Sequence, residues 1–239
     1  MGDRHGLNVS DKKDIYFTNA DRSVNLELHW KLSGSHFALP VEMDRLWKDA
    51  EIVTLAGTEI RTLSFPDLFI YLCLHGSRHG WERLGWICDI NELINSTPDF
   101  DWDSIMDEAE RLGCRKILGL SVYLVHKLFR GEVPLAVSER FSEKEVEFFA
   151  ELISELTDRL FSPEQNSMVM GDRYKYQLQL KERFIDRWKL HFHYLRRYAR
   201  LGLTPNQADR DRLELPESLR AVYFLTRPFR LLADLINKR

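Results

Sequence analysis

Apolar residues Val24, Leu26, Leu28 and Trp30 alternate with polar Asn25, Glu27 and His29. A period of two predicts a strand, and it puts Glu27 and His29 on one face. The run DIYFTN at 14–19 precedes it, separated by the turn-like break Ala20–Asp21–Arg22–Ser23. EIVTLAGTEIRTL at 51–63 predicts a hairpin turning near Ala56–Gly57. Residues 38–50 between these strands read as a helix with Leu46 and Trp47 packing inward.

The pattern becomes helical from Phe65. Ser64–Phe65–Pro66–Asp67 is a helix start, with proline near the first turn. Leu68, Leu72 and His75 follow at helical spacing, and Gly80 interrupts the run. Further helices are expected over about 81–95, from Asp101 to Gly113, over 114–130 and over 142–161. A long basic helix is expected over 173–200, and a last helical stretch over 217–237, broken at Pro228. The expected class is therefore α+β and mostly helical, with a small antiparallel sheet near the N-terminus packed on a larger helical region. The division falls between a sheet region, 1–64, and a helical region, 65–239.

Composition narrows the function. The chain has 239 residues, 44% of them hydrophobic, which suffices for one sizeable core. A net charge of −3 gives no overall attraction to nucleic acid. The charge is unevenly spread: residues 139–164 hold eight acidic and three basic residues, whereas 173–200 hold nine basic and two acidic ones. Tyr174, Tyr176, Phe184, Trp188, Phe192, Tyr194 and Tyr198 lie within the basic stretch. Such a helix either packs its aromatics inward or lies on a protein partner or an anionic surface, including peripheral membrane contact. Cys73, Cys88 and Cys114 occupy apolar contexts without zinc-binding spacing, so reduced thiols in the cytoplasm are expected. No apolar signal core or spanning run appears.

Candidate chemistry concentrates in LCLHGSRHGWERLGWICDINEL at 72–93. His75, His79, Arg83 and Asp89 stand there among Trp81, Trp86 and Cys88, and polar groups buried between aromatics need partners. His75 and His79, four apart, share a helix face. A structural hydrogen-bonding role and a transition-metal site with Asp89 both fit that spacing. Arg83 and Asp89 can form a buried structural pair. Asp99, Asp101 and Asp103 form a DxDxD string at a helix start, where aspartate caps free N–H groups. GxSxG, Walker A and GxGxxG patterns are absent from the sequence.

LELHW, together with the His/Trp/Arg/Asp block, resembles the family of uncharacterised nucleotidyltransferases, relatives of the polymerase-beta superfamily. The end, LELPESLRAVYFLTRPFRLL at 213–232, resembles that family's closing segment. The resemblance implies Mg2+-dependent transfer of a nucleotidyl group from a nucleoside triphosphate to an unknown acceptor. It gives Glu27 the part of the third metal-binding, catalytic carboxylate. His29, His75, His79, Arg83 and Asp89 would bind nucleotide or phosphate. The Gly-Ser turn and DxD that supply the first two carboxylates are not found upstream of Glu27, and Gly34–Ser35 lies downstream. The expectation is an incomplete or inactive transferase: a fragment, a shortened gene product or a pseudoenzyme. The alternative is a non-catalytic binding module using 173–200. A small incomplete sheet exposes an edge, so a homo-oligomer is plausible.

Overall fold

Two separate hairpins carry the sheet structure. In the first, β1 (Asp14–Thr18) pairs antiparallel with β2 (Asn25–His29), with Tyr16 opposite Glu27. Its turn is held by the Asn19 side chain, which accepts the Val24 N–H at 2.9 Å, and by Asp21, which accepts the Ser23 N–H at 3.0 Å. In the second, β3 (Glu51–Leu55) pairs with β4 (Thr58–Thr62). Ala56 and Gly57, at φ of 49° and 80°, turn the chain there, as the hairpin spacing predicts. The computed structural model describes residues 14–29, 32, 41–97, 100–162, 168–204, 209–210, 216, 219 and 222–236. Trp30, Gly34–Ser35, Asp99 and most of 213–221 fall outside the described residues.

Helices take over at Phe65. They are α1 (Met43–Lys48), α2 (Phe65–Arg78), α3 (Leu84–Asn95), α4 (Trp102–Leu112), α5 (Arg115–Phe129), α6 (Leu135–Ser138), α7 (Glu143–Leu160), α8 (Met170–Gln179), α9 (Phe184–Leu203) and α10 (Val222–Ile236). The class is α+β and mostly helical, with small antiparallel sheets near the N-terminus. The chain forms two compact units, Met1–Arg187 and Trp188–Arg239. Among the described residues, no helix is long and apolar enough to cross a membrane.

In the first unit the core is built around α5, which packs against α2, α3, α4 and α7. Ile117, Leu118, Leu120, Val122 and Leu124 are buried on successive sides of α5, the pattern of a helix enclosed nearly all round. Gly119 admits the Phe141 ring, since a Cβ there would stand 2.3 Å from that ring. The helix starts follow their capping signals. Asp101 accepts the Ser104 N–H at 3.0 Å at the start of α4, and Ser142 and Glu145 form a capping box on α7.

Three sequence expectations are corrected. Trp47 was expected inward but is exposed; α1 is only six residues long and buries Leu46 alone. The basic stretch 173–200 is not one helix. It breaks at 180–183, where Arg183 donates to the carbonyl of Glu110 at 3.2 Å and to that of Arg111. In the same break Glu182 accepts from Arg115 at 3.2 Å. Arg183 thereby adds a donor to carbonyls in the last turn of α4, where intrahelical partners run out. Finally, α10 continues through Pro228 as one element. The missing N–H costs a single bond to the Phe224 carbonyl and does not end the helix.

Candidate functional site

The site is organised by the turn between α2 and α3. His79 caps α2, and Gly80 and Trp81 follow at φ of 66° and 56°. This left-handed step folds the Trp81 ring back onto α2, and the Trp81 N–H reaches the Gly76 carbonyl at 3.0 Å. A Cβ at position 76 would stand 2.2 Å from that ring, so only glycine leaves room. Arg83 is extended and leads into α3, whose first turn carries Trp86.

Tyr71, His75 and His79 are successive fourth residues of α2 and line one face of it. The centroids of Tyr71 and His75 are 5.8 Å apart, and those of His75 and His79 are 4.9 Å apart. Trp86 closes the row at 5.1 Å from His75 and 5.2 Å from His79. The members are half-buried, leaving ring surface open. Arginines stand at both sides. The Arg83 guanidinium lies 5.5 Å from the Trp86 ring centroid, a cation–π contact. Arg78 Nη2 lies 2.8 Å from His79 Nε2. Since guanidinium only donates, His79 Nε2 is the acceptor in that contact.

Glu27 and His29 share a face of β2, as the alternation predicts, and His29 Nε2 lies 3.1 Å from Glu27 Oε1. The pair sits within electrostatic reach of the ring row. The Tyr71 hydroxyl has its pKa raised, chiefly by burial; Arg78 opposes the rise and the Glu27 charge adds to it.

The structure thus brings together His75, His79 and Arg83 around Trp86, while Glu27 on β2 acts on the Tyr71 hydroxyl through its charge. Asp89 does not join them. The expected buried Arg83–Asp89 pair is absent, because both side chains are exposed. The reason is local: the helix was expected from about 81, but α3 begins only at Leu84, leaving Arg83 on the extended entry to it. Two members were missed. Tyr71 lies one turn before His75, so the same spacing of four that links the histidines points to it. Arg78, next to His79, carried no such signal.

Behind Arg83 opens a cavity of about 590 Å³, lined by Trp81, Glu82, Arg159, Phe161 and Met168 among others. Glu82 is engaged there by Arg173 and by the Met168 N–H at 3.1 Å. In the DxDxD string, Asp101 is a helix cap and Asp103 pairs with Arg140 at 3.2 Å. Among the described residues no three or more His, Cys, Asp or Glu side chains gather so as to hold a metal ion.

Comparison with curated proteins and with solved structures gives no match. The family described as "Uncharacterised nucleotidyltransferase" matches residues 2–130, more than half of the 239. That span contains β2, the ring row and both of its arginines, and the chain belongs to the uncharacterised nucleotidyltransferase family.

Proposed function

We propose that this chain acts in nucleotidyl transfer by holding a nucleoside triphosphate on the row Tyr71, His75, His79 and Trp86. The observation that carries the reading is that row itself: half-buried flat rings with a guanidinium at each side, inside the family-matched span. Rings with open faces stack on a nucleobase, and arginine forks match phosphate oxygens. Arg83, exposed and already oriented over Trp86, takes the phosphates; Arg78, which donates to His79, supports them. Glu27 and His29 face the acceptor side, with Glu27 as the carboxylate at the transfer end. Asp89, exposed on α3, is given no contact with the nucleotide. Magnesium belongs to this chemistry by family, where it neutralises the phosphates. The described residues do not gather a ligand set for it, so no step is routed through it. The described part of the chain, on this reading, binds nucleotide weakly and transfers little.

Titration calorimetry with each nucleoside triphosphate, with and without magnesium, tests the reading. Arg83→Leu should weaken binding about tenfold, the loss of one charge-assisted contact of roughly 1.5 kcal/mol. Because Arg83 is exposed, its melting temperature should stay near the parent's. A parent that binds no nucleotide, or an Arg83→Leu chain that binds as the parent does, removes the proposal.

A further inference from the structure

Helix α9 has two apolar faces. Leu190 and Tyr194 form the buried one. On another side Trp188, Phe192 and Leu195 recur at spacings of four and three, one stripe of a helix. Phe192 and Leu195 are each 66% exposed and Trp188 is 57% exposed, against 0% for Leu190. A surface residue set of this size and continuity marks an interaction site. Lys189, Arg196 and Arg200, spaced seven and four apart, run along its border, and all three are exposed. Asp186 is the sole acidic residue of α9, and it lies on the side away from the stripe.

We infer that the outward face of α9 docks on an anionic lipid surface, lying in the plane of the interface rather than crossing it. Tryptophan, phenylalanine and leucine on one face bordered by lysine and arginine is the composition that settles at the headgroup boundary. The apolar side chains enter the acyl edge, and the border cations meet the phosphates of the headgroups. The charge selects this occupant over a second copy of the chain. Two such faces set against each other would bring Lys189, Arg196 and Arg200 against their own equivalents. The acidic helix α7 offers charge but no matching stripe, since its exposed positions include Glu143, Glu147, Glu151, Glu155 and Asp158 and no large apolar residue.

The test is co-sedimentation of the full chain with phosphatidylcholine vesicles carrying one third phosphatidylglycerol, against pure phosphatidylcholine vesicles. The chain should bind the anionic vesicles and not the neutral ones, and added salt should release it as screening shortens its reach from about 10 Å at 0.1 M to about 3 Å at 1 M. The double variant Phe192→Glu/Leu195→Glu, and separately Arg196→Ala/Arg200→Ala, should each lower partitioning by on the order of tenfold or more. All four sites are exposed, so both variants should melt with the parent; the salt release of the unaltered chain stands independently of that. Equal binding to both vesicle types, or none to either, overturns the inference. So does unchanged partitioning of both variants, or self-association through this face without vesicle binding.

Discussion

At the scale of single residues, Gly76 and Trp81 decide the shape of the site. The Trp81 ring occupies the space that any side chain at 76 would need, with its nearest atom 2.2 Å from the position of a Cβ. Gly76→Ala must therefore push that ring off α2 or open the turn through Gly80. Overpacking of this kind costs about 1–3 kcal/mol. Chemical denaturation should show a lower midpoint with an unchanged slope, and an alanine variant as stable as the parent would mean the ring has other room. Thiol chemistry separates the three cysteines in the same way. Cys73 is fully buried and its thiol is pushed up to about 12 by that burial, while burial also raises Cys114 beyond the usual thiol range. Cys88 is only partly buried. A thiol reagent at neutral pH should label Cys88 first in the folded chain and reach the other two only on unfolding. Early labelling of Cys73 would show that α2 opens locally.

At the scale of elements, the starts of helices were legible because capping is local chemistry. Asp101 receives the Ser104 N–H within four residues of chain, and nothing distant is needed to see it. Asp101→Ala should cost about 1 kcal/mol, seen as a fall in the unfolding midpoint, and Asp101→Asn should restore most of it. If asparagine fails to rescue, the carboxylate serves something beyond capping. The shared face of His75 and His79, and that of Glu27 and His29, were legible for the same reason: period fixes direction. The division of 173–200 was not. Arg183 leaves the helix to serve the carbonyls of Glu110 and Arg111, and Glu182 turns to Arg115, partners some seventy residues away. Equally, periodicity could not show that Arg83 lies outside α3 or that Trp47 faces solvent, because both depend on where short elements end.

At the scale of the whole molecule, the sequence conveyed the change from strands to helices at Phe65 and the concentration of polar groups in 72–93. It did not convey the second compact unit, Trp188–Arg239, which includes an ion-pair cluster between sequence-distant residues. There Asp209, only 2% exposed at its side chain, accepts from Arg227 and from Arg230. Arg227 is itself nearly buried, at 8%. An aspartate between two arginines in a sequence break carries no periodic signal, so its role is visible only once α10 is in place. Removing it takes one counter-charge from both arginines, one of which is nearly withdrawn from water. Breaking a buried ion pair from one side typically costs about 3–5 kcal/mol, more than replacing the whole pair by apolar groups. Asp209→Ala should therefore loosen α10: hydrogen exchange at amides of Val222–Ile236 should quicken, while those of α5, in the other unit, keep the parent's protection. The companion Asp209→Ala/Arg227→Met removes the stranded cation and should recover part of the loss. Unaltered exchange in α10 after Asp209→Ala would mean that the two arginines find water or other acceptors, and the unit would then be held by its apolar contacts alone.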